Sequence, residues 1–337
     1  MNKSYFYTET AFHHEGDLSY LKGLIDATKE TGAAGIKFQV MTKTADFIST
    51  KHSAFTTLDS YHFSLEEWAE VFKYTQDIGL DIIMMPLNSE ALQLLDQFDV
   101  KYLDIHSVCF YDTDLLEKIK ETNREIILGV GGRTMEEIIE KIKYFDSRLK
   151  VLMVGFQSFP SQLEDVNIGK ITYLKNLFPD CQIGYADHSA FDSEHAISSN
   201  EYARLLGATF FEKHITLEEG IERVDFSAAV GFEKIKTIID KVSFLEQNVL
   251  TDFVQSFNQN EKEIAYRNRQ LVCVCAEDFK QGYCLKREDV LLKLKDNTEL
   301  HYSRIDDLIG KRLITDLEKD NVIRQKDIAN STVPNKI

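Results

Sequence analysis

Two strand-like runs in this chain each finish on a histidine. The first is Gln182-Ile183-Gly184-Tyr185-Ala186-Asp187-His188, and the second is Ala208-Thr209-Phe210-Phe211-Glu212-Lys213-His214, with one helical stretch, Ser193 to Leu206, between them. A strand, a crossover helix and a second parallel strand take roughly 25 to 30 residues, so the two histidines fall at equivalent points of one unit, at the same sheet end. Neighbouring parallel strands lie about 4.8 Å apart, and imidazoles leaving adjacent strand ends converge on one ion with metal–nitrogen bonds of roughly 2.1 Å. His188 and His214 are therefore a candidate metal pair. The alternative for either is an ordinary polar strand end.

The elements that must position them recur along the chain. Short apolar runs occupy Tyr5–Glu9, Gly35–Gln39, Asp81–Met85, Tyr102–Ile105, Glu125–Gly129, Val151–Gly155, Gln182–Tyr185 and Thr209–Lys213. Each precedes a helix-like segment; Asp17–Thr31, Leu65–Ile78, Thr134–Tyr144 and Val166–Leu177 carry apolar residues at helical spacing. Eight strand–helix units over about 240 residues predict a closed (β/α)8 TIM barrel, with an open doubly wound sheet as the runner-up. Residues 1–245 are assigned to this barrel and 246–268, which is polar, to a linker. Residues 269–330, with short β runs at Gln270–Cys275 and Val290–Leu294, are assigned to a small, mostly β domain.

A barrel of this kind places its reacting groups at the C-terminal strand ends. There stand Glu9, Lys37, Gln39, Asp104, His106, Ser107, Asp187, His188, Glu212 and His214. A carboxylate such as Glu9 at a metal site orients bound water or acts as a base. Lys37 is costly to bury without a partner, and a bound phosphate or carboxylate supplies one. Asp187 and Glu212 are suited to ordering the neighbouring ligands or a sugar hydroxyl. The loop Gly129-Val130-Gly131-Gly132-Arg133-Thr134 opens a helix and offers backbone N–H groups and Arg133 to an anion. It is equally a tight turn. The long connection from Val40 to Ser64 has the length of a functional loop, though no residue in it declares a role.

Composition narrows the class. Apolar residues make up 43% and charged residues 28%, and no run approaches the roughly 20 apolar residues of a membrane span. A formal charge of −16 argues against a nucleic-acid surface and requires local cations or a metal to draw in an anionic substrate. Five cysteines without metal-finger spacing imply reduced thiols. The opening Met1-Asn2-Lys3-Ser4-Tyr5 enters a strand at once, which leaves no room for a signal peptide and points to the cytoplasm.

These residues resemble the bacterial N-acetylneuraminate (sialic acid) synthases and their pseudaminic and legionaminic acid relatives. The matching stretches are Glu9 to Asp17, Ile36-Lys37-Phe38-Gln39, Glu164-Asp165-Val166, Ile183 to Ser189 and Glu212-Lys213-His214-Ile215-Thr216-Leu217. The C-terminal part, with Phe279-Lys280-Gln281-Gly282 and Leu308-Ile309-Gly310-Lys311, is similar to that family's antifreeze-like (SAF) domain. The resemblance implies condensation of phosphoenolpyruvate with an open-chain N-acyl hexosamine, yielding a 2-keto sugar acid and phosphate. It implies a divalent ion, Mn2+ or Mg2+, on His188 and His214, with Glu9 reaching it through water and Lys37 holding phosphoenolpyruvate. Candidate substrate contacts are Gln39, Ser107, Arg133, Gln157, Asp187, Glu212, Asp225 and Lys295. The expected assembly is a homodimer in which each SAF domain covers the partner's barrel mouth.

The departures from the family pattern concern the anion and sugar contacts. Asp104-Ile105-His106-Ser107 stands where the family has Lys-Ile-x-Ser, Gly129-Val130-Gly131-Gly132 where it has Ser-Thr-Gly-Met, and Gln157-Ser158-Phe159-Pro160 where it has Asn-x-Tyr-Pro. Lys295 stands near the position of the family's SAF arginine, and an ammonium is not equivalent to a guanidinium fork. Two other readings therefore stay open: a non-catalytic homologue that binds a sugar or sugar acid, and another metal-dependent barrel aldolase or lyase in which Lys37 forms a Schiff base.

Overall fold

Strands whose residues alternate between two apolar surroundings are buried on both faces, and the first 250 residues carry eight of them. A computed structural model describes residues 3–155, 158–250, 258–267, 269–295 and 301–329. Its strands are β1 (Tyr5–Glu9), β2 (Gly35–Val40), β3 (Asp81–Pro86), β4 (Val100–Ile105), β5 (Ile126–Gly129), β6 (Leu149–Val154), β7 (Gln182–Asp187) and β8 (Phe210–His214). Each pairs in parallel with the next, and β8 pairs with β1, closing the (β/α)8 barrel. The barrel interior is filled by Tyr7, Ile83, Tyr102, Ile127, Val151, Met153 and Phe210, while the alternate positions, among them Phe6, Ile36, Phe38 and Phe211, face the helices. Gly184 is an interior position where a Cβ would stand 2.1 Å from Met153 Sδ, so only glycine leaves the methionine room.

The main helices are α1 (Leu18–Thr31), α2 (Thr44–Phe47), α3 (Phe55–Asp59), α4 (Leu65–Asp77), α5 (Thr113–Glu121), α6 (Met135–Phe145), α7 (Leu163–Val166), α8 (Lys170–Leu177), α9 (His195–Leu206) and α10 (Phe232–Asn248). Side chains that satisfy free N–H groups set several of their starts. Asp17 caps α1, and Ser64 with Glu67 and Thr134 with Glu137 form reciprocal capping boxes on α4 and α6. The single helix expected over Val166–Leu177 is two pieces: Asn167 adopts φ +50°, which ends α7, and α8 resumes at Lys170. The Val40–Ser64 connection carries the short helices α2 and α3.

Two compact units divide at residues 251/252. The second contains α11 (Glu261–Arg267) and the antiparallel pair β9 (Val272–Cys275) and β10 (Val290–Lys293). Its core gathers Cys273, Cys275, Phe279, Leu285, Leu308 and Ile323. Among the described residues no helix is long and apolar enough to cross a membrane.

Candidate active site

Strand register brings the chemistry together. Glu9 is level with Lys37 on β2 and with His214 on β8, and Ala186 of β7 is level with Glu212. Inward-facing side chains at these C-terminal ends line a cavity of about 440 Å³, whose lining includes Glu9, Lys37, Asp104, His188, Glu212 and His214. All six residues are buried.

The floor of the cavity is a charge cluster centred on Lys37. Its Nζ donates to Glu212 Oε2 at 2.7 Å and Asp104 Oδ2 at 2.9 Å, and Glu9 Oε2 stands 3.1 Å away. Gln39 Nε2 donates to Glu9 Oε1 at 2.9 Å, and His214 Nε2 lies 3.2 Å from Glu9 Oε2. Burial alone would push Lys37 toward its neutral form, but Asp104, Glu212 and Glu9 outweigh it and hold the ammonium well above its ordinary range. Burial also raises Glu9, yet Lys37 and His214 keep that carboxylate well below its usual range. Glu212 moves the other way, because burial and its neighbours Glu9 and Asp104 outweigh Lys37. Burial raises Asp104 as well, against the pull of Lys37.

Beside this cluster the two imidazoles stand with ring centroids 4.9 Å apart, 73° between planes. His188 Nδ1 lies 3.1 Å from the Ala186 carbonyl; a carbonyl only accepts, so Nδ1 carries the proton and Nε2 keeps a lone pair. Burial drives His188 down to about 3, which keeps it neutral, as a ligand must be. One donor atom from each of Glu9, His188, Glu212 and His214 lies within 4.8 Å of the others. Imidazole and carboxylate donors suit Mn2+, Mg2+ or Zn2+ rather than a soft ion.

The remaining expected site residues divide. Gln39, Ser107 and Asp225 line the cavity, Asp225 with φ +60°. Asp187 does not. One residue before His188 on a strand, it faces outward, where Oδ2 accepts from Asn200 Nδ2 at 2.8 Å and lies 3.3 Å from Lys213 Nζ, and Oδ1 accepts from Ser189 N and Oγ. Of the two parts expected for Asp187, its contacts fit the ordering of neighbouring ligands rather than a place on the cavity lining: it anchors the neighbours of both histidines. Arg133 is also outside the lining. Its Nη2 donates to the Ser107 carbonyl at 2.6 Å and its guanidinium lies 4.1 Å from the Phe110 ring centre, so it braces the rim. Lys37, expected to hold an anion, has three of the protein's own carboxylates beside it. Lys295 belongs to the second unit, where its Nζ donates to the Asp320 carbonyl. Gln157 lies outside the described residues.

Three aromatic residues line the cavity without having been expected as contacts, although Phe12 and Phe159 lie in stretches compared with the family pattern. Phe47 comes from α2, inside the long connection, and Phe12 and Phe159 come from strand-end loops. His106, expected at the end of β4, lines the cavity, and burial lowers it to about 4. His13 stands four residues beyond Glu9, in the loop that leaves β1. It donates from Nδ1 to the Val224 carbonyl at 2.7 Å and accepts at Nε2 from Thr216, which ties the first strand-end loop to the last.

A barrel whose mouth holds a buried cluster of two histidines and two carboxylates defines a class of (β/α)8 protein equipped to hold a metal ion. The profile of the NeuB family matches residues 24–252, and the chain belongs to that family. It is 28% identical to an uncharacterized protein of Methanocaldococcus jannaschii, over 96% of this chain and 94% of that one. It is 25% identical to human N-acetylneuraminate-9-phosphate synthase, over 96% and 92%. It is 26% identical to the pseudaminic acid synthase of Helicobacter pylori, over 96% and 97%. In fold it is similar to spore coat polysaccharide biosynthesis protein E of Chromobacterium violaceum, with a TM-score of 0.83 at 18% identity, over 97% of this chain and 100% of that one.

Proposed function

We propose that the chain is a transferase of the sialic acid synthase type, which condenses phosphoenolpyruvate with an open-chain N-acyl amino sugar to give a 2-keto sugar acid and phosphate. The observation that carries this reading is the cluster of His188, His214, Glu9 and Glu212 around one cavity floor. A divalent ion, Mn2+ or Mg2+, held by His188 and His214 would polarise the sugar aldehyde. The new carbon–carbon bond joins the phosphoenolpyruvate methylene carbon to that aldehyde carbon; water then adds at the carbon bearing the phosphate, which leaves.

The chain's own groups have definite parts. Glu9, kept ionised and oriented by Gln39, is the base that takes a proton from the adding water. Lys37 donates to Asp104 and Glu212 and stands 3.1 Å from Glu9, so an anionic substrate competes with these carboxylates for it. An ammonium held this way has no lone pair for a Schiff base, which disfavours the lyase reading. The same engagement favours one second reading, a sugar-acid-binding homologue without turnover. The second unit is read as an SAF domain, and the assembly as a homodimer.

Phosphate release decides between the two. Protein supplied with phosphoenolpyruvate, Mn2+ and a panel of N-acyl hexosamines should release phosphate only when an acceptor is present. Folded protein that binds sugar acids and releases none with any acceptor supports the second reading.

A further inference from the structure

The loop that leaves β1 grips one peptide of the segment between β8 and α10. His13 Nδ1 donates to the Val224 carbonyl at 2.7 Å, and Glu15 Oε1 accepts from Val224 N at 3.0 Å, so both backbone polar groups of Val224 are held. Arg223 Nη1 donates to the His13 carbonyl at 3.3 Å and to Glu15 Oε2 at 3.4 Å. The imidazole is itself fixed, because Nε2 accepts from Thr216 Oγ1 at 2.8 Å and the residue is buried. Every one of these contacts is made within one chain. The residue after the gripped one, Asp225, has φ +60° and ψ 17° and lines the cavity with Glu9 and His214. A side chain other than glycine's stays in that left-handed region where its surroundings hold it there.

We propose that His13 is a positioning residue: with Glu15 it fixes the Val224 peptide and so aims Asp225, expected above as a substrate contact, into the cavity. The clamp stands on the geometry; the use of Asp225 on an acceptor sugar rests on the synthase reading. Amide hydrogen exchange on the full-length Mn2+-loaded protein tests the clamp without any sugar. His13→Leu should speed exchange over residues 221–228 at least tenfold, while His13→Asn, which keeps an N–H near Nδ1, should restore most of the protection. Glu15→Asn suits a left-handed backbone but is too short to reach Val224 N; it carries the same prediction and serves if His13→Leu does not fold. Kinetics use the N-acyl hexosamine that releases phosphate. His13→Leu should raise KM for that sugar several-fold, leave KM for phosphoenolpyruvate unchanged, and add little once Asp225→Asn is present. Unchanged exchange in both His13→Leu and Glu15→Asn, or an equal rise in KM with and without Asp225→Asn, overturns the proposal. Phosphate release with no hexosamine overturns the synthase reading and this use of Asp225 with it, while the exchange result still decides the clamp.

Discussion

Lys37 and Asp104 form a buried ion pair, Nζ to Oδ2 2.9 Å, on the floor of the cavity. Asp104, with Glu9 and Glu212, sets carboxylates of the chain itself against the Lys37 charge. Removing one partner of a buried pair leaves the other uncompensated, at about 3–5 kcal/mol. Lys37→Met should therefore lose stability in that range by urea denaturation. Combined with Asp104→Leu, the loss should fall short of the sum of the single variants by at least about 1 kcal/mol. Strict additivity would show that the two groups do not depend on each other.

Asp187 and Lys213 make the corresponding pair on the outer face of β7 and β8. Asp187→Ala leaves Lys213 buried without a counter-charge and should lower Tm sharply. Because the pair also holds Ser189, next to His188, Mn2+ affinity should fall about 10–100-fold, as when the support of a metal ligand is lost. A variant with lower Tm and unchanged Mn2+ affinity would limit Asp187 to a structural part.

His14 gives a pH signature remote from the metal cluster. Burial lowers it to about 3 from an ordinary 6.5, so between those values the unfolded chain binds the extra proton. Its contribution is complete above the unfolded value and is lost as pH falls below it, by at most about 1.4 kcal/mol per pH unit. Its Nδ1 accepts from Gly16 N, a bond that Asn can replace. In His14→Asn the dependence of unfolding free energy on pH between about 4 and 6 should flatten by that slope. An unchanged slope would mean that His14 takes up no proton on unfolding.

Much of this site was legible in the sequence because strand periodicity and equal spacing are local properties. The eight strands follow from that pattern, and so does the meeting of His188, His214, Glu9 and Lys37 at one rim. What was not legible depends on direction or partner. Asp187 is one residue from His188, and a single step along a strand turns it to the other face. Lys37 looked like a free cation because its three carboxylates come from β1, β4 and β8. Phe47 lies on a short helix within a connection that carries no motif. The break at Asn167 depends on one left-handed residue inside an otherwise helical pattern.

The central claim is that the two strand-end histidines hold a divalent ion on which the chemistry depends. A titration of the chelator-treated protein with Mn2+, followed by the electron paramagnetic resonance signal of the free ion, tests it most directly. One tight ion per chain is predicted for the natural sequence, with at least a hundredfold weaker binding in both His188→Ala and His214→Ala. Equal Mn2+ binding in the natural protein and in both variants would contradict that claim.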